Sequence, residues 1–188
     1  MRRARRVLTA MLAALAVTAA TPASADLRIS DLAVFLNDHD VTVQVVLLDA
    51  LPASFREGLE SGIPAHVRYT VELWQYTRFW VDRLLLTRVV ERQIAYDVVT
   101  REYRVKPVKG EIAPAHVTRD LRDAQRAFSE IRALKLAPAG ALAPGGVIYV
   151  RVHAETALNG DASLVARMAG TAAQASRQSE YRSLVRTP

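Results

Sequence analysis

The chain has 188 residues, 51% of them hydrophobic, no cysteine, and a formal charge of +6 from 25 Lys+Arg against 19 Asp+Glu. The missing cysteine excludes a disulfide framework, a thiolate metal centre and a lipid-modified cysteine. The cations are interleaved with acids, which argues against nucleic acid, whose binders gather cations to displace counterions from phosphates.

Arg2, Arg3, Arg5 and Arg6 precede an uncharged run from Val7 to Ala20, and Ala23-Ser24-Ala25 follow. A basic start, a short apolar stretch and small residues before a cut define a cleavable secretory leader ending at Ala25. The apolar run is shorter than the roughly 20 residues of a membrane-spanning helix. The general secretory route fits better than twin-arginine export, because no polar residue precedes the arginine pairs. Loss of the leader removes four arginines, leaving 21 cations against 19 acids, a net +2, and 188 less 25 leaves 163 residues. That is enough for one self-sufficient core.

Beyond the leader the dominant pattern has period two. Leu27, Ile29, Leu32, Val34 and Leu36, then Val41, Val43, Val45 and Leu47, are separated by Asn37-Asp38-His39-Asp40. Two β-branched runs around four turn-forming residues predict an antiparallel hairpin. Leu51, Phe55 and Leu59 fall at helical spacing between Pro52 and Pro64, with Gly62 as the stop, which predicts a short helix. Strand alternation resumes at Ala65, with Val67, Tyr69, Val71 and Leu73 on one face. A further extended run covers about 80–97, and Leu84-Leu85-Leu86 predicts a bulge in it. Asp97-Val98-Val99-Thr100 forms a tight connection to Glu102–Val108, placing Tyr96 beside Tyr103 as a cross-strand pair.

Thr118 is a natural N-cap, and Leu121, Ala124, Phe128, Ile131 and Leu134 form a stripe that predicts one amphipathic helix from Thr118 to Lys135. A Pro- and Gly-rich loop follows over 137–146, then a last strand over 147–158 with Ile148, Val150, Val152 and Ala154 inward. From Asn159 the composition turns to Ala, Ser, Arg and Gln, and is read as a flexible tail. About six strands without βαβ alternation predict a mainly β fold, an antiparallel β-sandwich with immunoglobulin-like layers, a short helix after the second strand and one amphipathic helix before the last. The predicted organisation is a signal peptide over 1–25, one domain over 26–158 and a tail over 159–188.

Several blocks in order resemble one family. Leu51-Pro52 with Glu57–Pro64 (EGLESGIP), Arg78-Phe79-Trp80-Val81-Asp82-Arg83, Ile94-Ala95-Tyr96-Asp97 with Thr100-Arg101-Glu102-Tyr103, and Tyr149-Val150-Arg151-Val152 are similar to an uncharacterised family of exported Gram-negative proteins, domain of unknown function 4390. The resemblance covers most of Leu27–Leu158. The family's final strand ends in Leu-Pro, where this chain has Ala157-Leu158-Asn159-Gly160. It implies a periplasmic protein with no assigned activity, and genes near a membrane sensor kinase.

No catalytic or cofactor motif is legible. His39, His66, His116 and His153 lack metal-ligand spacing, and Asp38-His39-Asp40 fits a solvated turn better than a cation site, so no metal or cofactor is expected. Ser54 lies near His66 in sequence only, and Glu57 with Glu60 suits an outer helix face. The most unusual patch holds both tryptophans. On a regular strand Trp74, Tyr76, Arg78 and Trp80 share one face, a combination suited to partner recognition, and a cover by the amphipathic helix is the structural alternative.

The leading expectation is a non-catalytic periplasmic binding or adaptor module for an envelope protein or peptide, using this aromatic face or a sheet edge, and accessory to a membrane sensor. No nucleic-acid partner and no membrane span after cleavage are expected. The alternatives are a carrier of a lipid or other apolar ligand between the sandwich layers, and an envelope hydrolase that gathers His66 or His153 with a carboxylate. Mass spectrometry of the exported protein should find Asp26 as the first residue; a product that retains Met1 would contradict the leader.

Overall fold

A computed structural model describes residues 26–36, 39–160 and 164–183, so the leader and Asn37-Asp38 lie outside the described residues. Strands β1 (Arg28–Leu36) and β2 (Asp40–Leu48) form the expected hairpin. Helix α1 (Ala53–Glu60) follows and buries Phe55 and Leu59. Strands β3 (Ala65–Gln75), β4 (Arg83–Asp97) and β5 (Glu102–Lys109) make an antiparallel meander, and β6 (His116–Thr118) adds to its edge. Helix α2 (Leu121–Ser129) runs into β7 (Glu130–Pro138); β8 (Val147–Leu158), α3 (Leu164–Met168), β9 (Ala172–Gln178) and β10 (Arg182–Ser183) complete the chain.

Two antiparallel sheets result, layered as a sandwich. The smaller has the order β1-β2-β7; the larger has the order β10-β8-β3-β4-β5-β6, with β9 also paired to β8. Period-two alternation sets their facing surfaces, because successive side chains on a strand point to opposite faces. Val41, Val43 and Val45 of β2 oppose Val67, Tyr69, Val71 and Leu73 of β3, all at 0% exposure. Phe55 and Phe128 from the helices join this single main core. The expected bulge is present: Leu73 pairs with Leu86 and Trp74 with Leu84, so Leu85 is the extra residue.

The expected helix over 118–135 is corrected. The N-cap is Asp120, whose side chain accepts from the Arg122 N–H at 2.9 Å, and the helix stops at Ser129. The next residues pair with β2 as β7. Val45 pairs with Ile131 but Val43 with Leu134, so one extra residue is inserted, and Ala133 takes a φ of +49° there. A bulge of this kind turns the two-residue spacing of a strand into three and imitates a helical stripe. The tail expectation also fails in part, since Ala172–Gln178 pairs along Arg151–Ala157 of β8. Main-chain bonding to a waiting edge needs little apolar side chain.

A helix that becomes a strand within one residue leaves its last carbonyls without intrahelical donors. Arg92, on the inward side of β4, supplies them: its Nη1 donates to the carbonyls of Ala127 and Glu130. Its Nε and Nη2 donate to Glu111 Oε2 and Oε1 at 2.7 and 2.6 Å. The Tyr69 hydroxyl donates to the Phe128 carbonyl at 3.5 Å, and burial pushes that hydroxyl above its ordinary range. Arg92→Ala should lower stability by about 3 kcal/mol, because the helix carbonyls and Glu111 all lose their donor. Glu111→Ala should cost less, since Arg92 keeps its carbonyls. Chemical denaturation of the two variants checks the order.

Candidate functional site

Strand β3 ends at Gln75 because the next residues form a turn. The Tyr76 N–H donates to the Val147 carbonyl at 2.8 Å, and the Thr77 N–H donates to Asp82 Oδ1 at 3.0 Å. A side-chain carboxylate that bonds a backbone N–H offers the chain an alternative to the ladder. Asp82 Oδ2 also accepts from the Tyr149 hydroxyl at 2.8 Å, which fastens the base of the turn to β8. Burial, then this hydrogen bond, push the Tyr149 hydroxyl up to about 12.

The expectation that Trp74, Tyr76, Arg78 and Trp80 share a strand face is therefore corrected, and they divide into two groups. Trp74 and Tyr76 belong to an aromatic cluster at the end of the larger sheet. The Trp74 ring stacks on Tyr149 with centroids 6.3 Å apart and an interplanar angle of 7°. Tyr181 meets Tyr149 edge-on at 5.2 Å and Tyr76 at 5.3 Å. The Arg151 guanidinium lies 4.9 Å from the Trp74 ring centroid, and the Trp74 indole N–H donates to Glu72 at 2.8 Å. Arg78 and Trp80 lie in the turn beyond. There Phe79, Trp80 and Val81 are 87%, 83% and 78% exposed, and Arg78 stands over the Phe79 ring at 5.3 Å. Helix α2 does not cover this surface; it packs on β4, β5 and β6 and against β2.

Tyr149, Arg151 and Tyr181 were not picked out from the sequence. Their one signal is the outward parity of Tyr149 and Arg151 on β8, and it became meaningful only once β8 was known to lie beside β3. The other candidates disperse. Ser54 Oγ donates to the Gly170 carbonyl at 3.4 Å and has no histidine partner. His116 meets Asp123 at 2.8 Å, and His153 meets Glu155 at 3.3 Å. His66 Nδ1 stands 3.9 Å from Glu91 beside a small pocket of about 110 Å³ that Glu155 also lines. No group of three metal-ligating side chains occurs among the described residues. Among them, no helix is long and apolar enough to cross a membrane.

The two-sheet architecture, with the aromatic turn between β3 and β4, defines a mainly β domain of the sandwich kind. The chain belongs to the family described as domain of unknown function DUF4390, whose profile matches residues 24–174. No curated protein and no solved structure matches it.

Burial lowers the His66 pKa below 6.5, against a weaker opposing effect of Glu91. A group with a depressed folded pKa contributes stability that is present above its unfolded value and lost as pH falls through the folded one. Stability should therefore decline below pH 6.5, and His66→Gln should flatten that part of the profile in denaturation curves taken at successive pH values.

Proposed function

We propose that the chain is a non-catalytic binding module of the periplasm that engages an envelope protein through the β3–β4 turn. The observation that carries this reading is the run Phe79-Trp80-Val81, three adjacent large apolar side chains at 78–87% exposure. Single exposed apolar residues are ordinary on a protein surface, whereas a contiguous group of them marks an interaction site. Trp, with Arg78 and Arg83 at the flanks, supplies the side chains that dominate protein interfaces. The turn is held from behind by Asp82, so little ordering is required on docking. The space between the sheets is occupied by Val41, Val43, Val45, Tyr69 and Phe128, which favours a docking surface over an apolar-ligand carrier. An accessory role beside a membrane sensor is the sharpest form of the proposal.

Photo-crosslinking tests it. A benzophenone side chain in place of Phe79 should give one dominant protein adduct in intact cells, and adding Trp80→Ser should abolish it. The same substitution should change the stability of the purified protein by no more than about 0.5 kcal/mol, as at other exposed positions. Failure to form an adduct, or an adduct indifferent to Trp80→Ser, would overturn the proposal.

A further inference from the structure

The two sheets present four outer edges, and three are guarded against further pairing. Strand β7 carries a bulge at Ala133, exposed Arg132 and Lys135, and a terminal Pro138. Strand β6 has only three residues. Beyond β8 the edge is formed by the polar β9 and the two-residue β10. Bulges, charges, prolines and short lengths are the means by which edge strands avoid partners.

Strand β1 differs along its length. At its start a bulge falls between Ile29 and Asp31, and Arg177 of β9 donates to the carbonyls of Ile29 and Ser30 at 2.9 and 2.6 Å. The remainder, Leu32-Ala33-Val34-Phe35-Leu36, has no charge, proline or glycine. These five residues pair with β2 alone among the described strands, so their other side offers main-chain groups without a ladder partner there. A cleft of about 660 Å³ runs beside them, bounded across the gap by Tyr181, Arg182 and Ser183. Tyr181 is also the ring that touches Tyr76 and Tyr149, so the cleft continues the aromatic cluster and the turn.

We propose that this cleft accepts an extended peptide segment of a partner protein, which adds as a strand to the free side of Leu32–Leu36. The inference deepens the proposed function and rests on its reading of the chain as a protein-binding module. Backbone without a ladder partner selects another extended backbone as its complement. The length available, five residues at about 3.3 Å each, spans roughly 16 Å. Side chains of the added strand alternate between the side of Val34, which is buried, and the side of Phe35, which is 51% exposed. Apolar residues on alternate positions therefore suit it. The far wall is formed by Tyr181 and by β10 of the other sheet, so an added strand would lie between the two layers' edges.

The test uses the mature protein and a capped hexapeptide of alternating threonine and valine, with amide hydrogen exchange as the readout. The peptide should slow exchange of the β1 amides that do not face β2 about tenfold or more. The same peptide, N-methylated along the edge that faces β1, should have no effect, because it keeps its side chains but loses its donors. Ala33→Lys with Phe35→Lys places two charges on the solvent side of the edge and should remove the protection without unfolding the protein. Protection should persist in Trp80→Ser, which separates the cleft from the turn: loss of the crosslink alone counts against the turn, and loss of β1 protection alone counts against the cleft. The proposal is overturned if the peptide protects nothing, if the methylated peptide protects equally, or if these amides are already protected in the free protein by another part of the chain or a second copy.

Discussion

The arrangement of the two layers is directed by arginines that reach from one sheet to the other, Arg177 of β9 at the start of β1 and, with the most partners, Arg92. Apolar contact between Val41, Val43 and Val45 and the inward face of β3 holds the sheets together but is non-directional, so by itself it fixes neither offset nor angle. Arg92 adds direction. It reaches from the larger sheet to the point where α2 turns into β7 of the smaller sheet, and takes Glu111 of the β5–β6 connection with its remaining donors. A planar guanidinium can hold two carbonyls and a carboxylate at once, which a lysine ammonium cannot reproduce. Its charge also suits a helix C-terminus. With its side chain 13% exposed, the cation is tolerated because each of its three nitrogens donates to an acceptor.

From this clamp the β3–β4 hairpin extends as a lever. Arg92 pairs with Val67, and the aromatic turn begins after Gln75, eight residues farther along β3. At about 3.3 Å per residue the two points are roughly 26 Å apart. Changes at positions more than about 10 Å apart without shared partners combine additively, so stability and docking are separable properties of this chain. The restraint on the turn is local, and comes from Asp82 and Tyr149.

What the sequence disclosed follows the same division between local and distant causes. The alternation of β2, β3 and β8, the bulge at Leu85 and the Tyr96–Tyr103 pair were legible because each is set by neighbours a few residues away or by a short turn. Asp97 behaves as read, accepting from the Val99 and Thr100 N–H groups. β7 was hidden because the extra residue at Ala133 gave Ile131 and Leu134 the spacing of a helix. The turn over 77–80 was hidden because Arg78-Phe79-Trp80-Val81 has strand composition, and Asp82, which diverts the backbone, is a single residue. β9 was missed for the opposite reason, since its partner supplies main-chain bonds that no apolar pattern announces. The inward position of Arg92 could be inferred only after the register of β4 against β3 was known.

Magnitudes explain why the turn needs the surface around it. Full burial of a large apolar side chain contributes about 1.5–3 kcal/mol, so Phe79, Trp80 and Val81 together supply about 5–9 kcal/mol. Association alone costs about 4–15 kcal/mol in lost translational and rotational freedom. Three side chains therefore bring the balance near zero, and a durable complex requires further contact within reach of the same partner. The exposed half of Tyr181 and the side of Leu32–Leu36 away from β2, without a ladder partner among the described strands, are the adjoining surfaces with something left to give: apolar area in one, main-chain donors and acceptors in the other. A partner that inserts an extended segment beside β1 while receiving Trp80 in a pocket of its own would draw on both, whereas one that touched the turn alone would be weak.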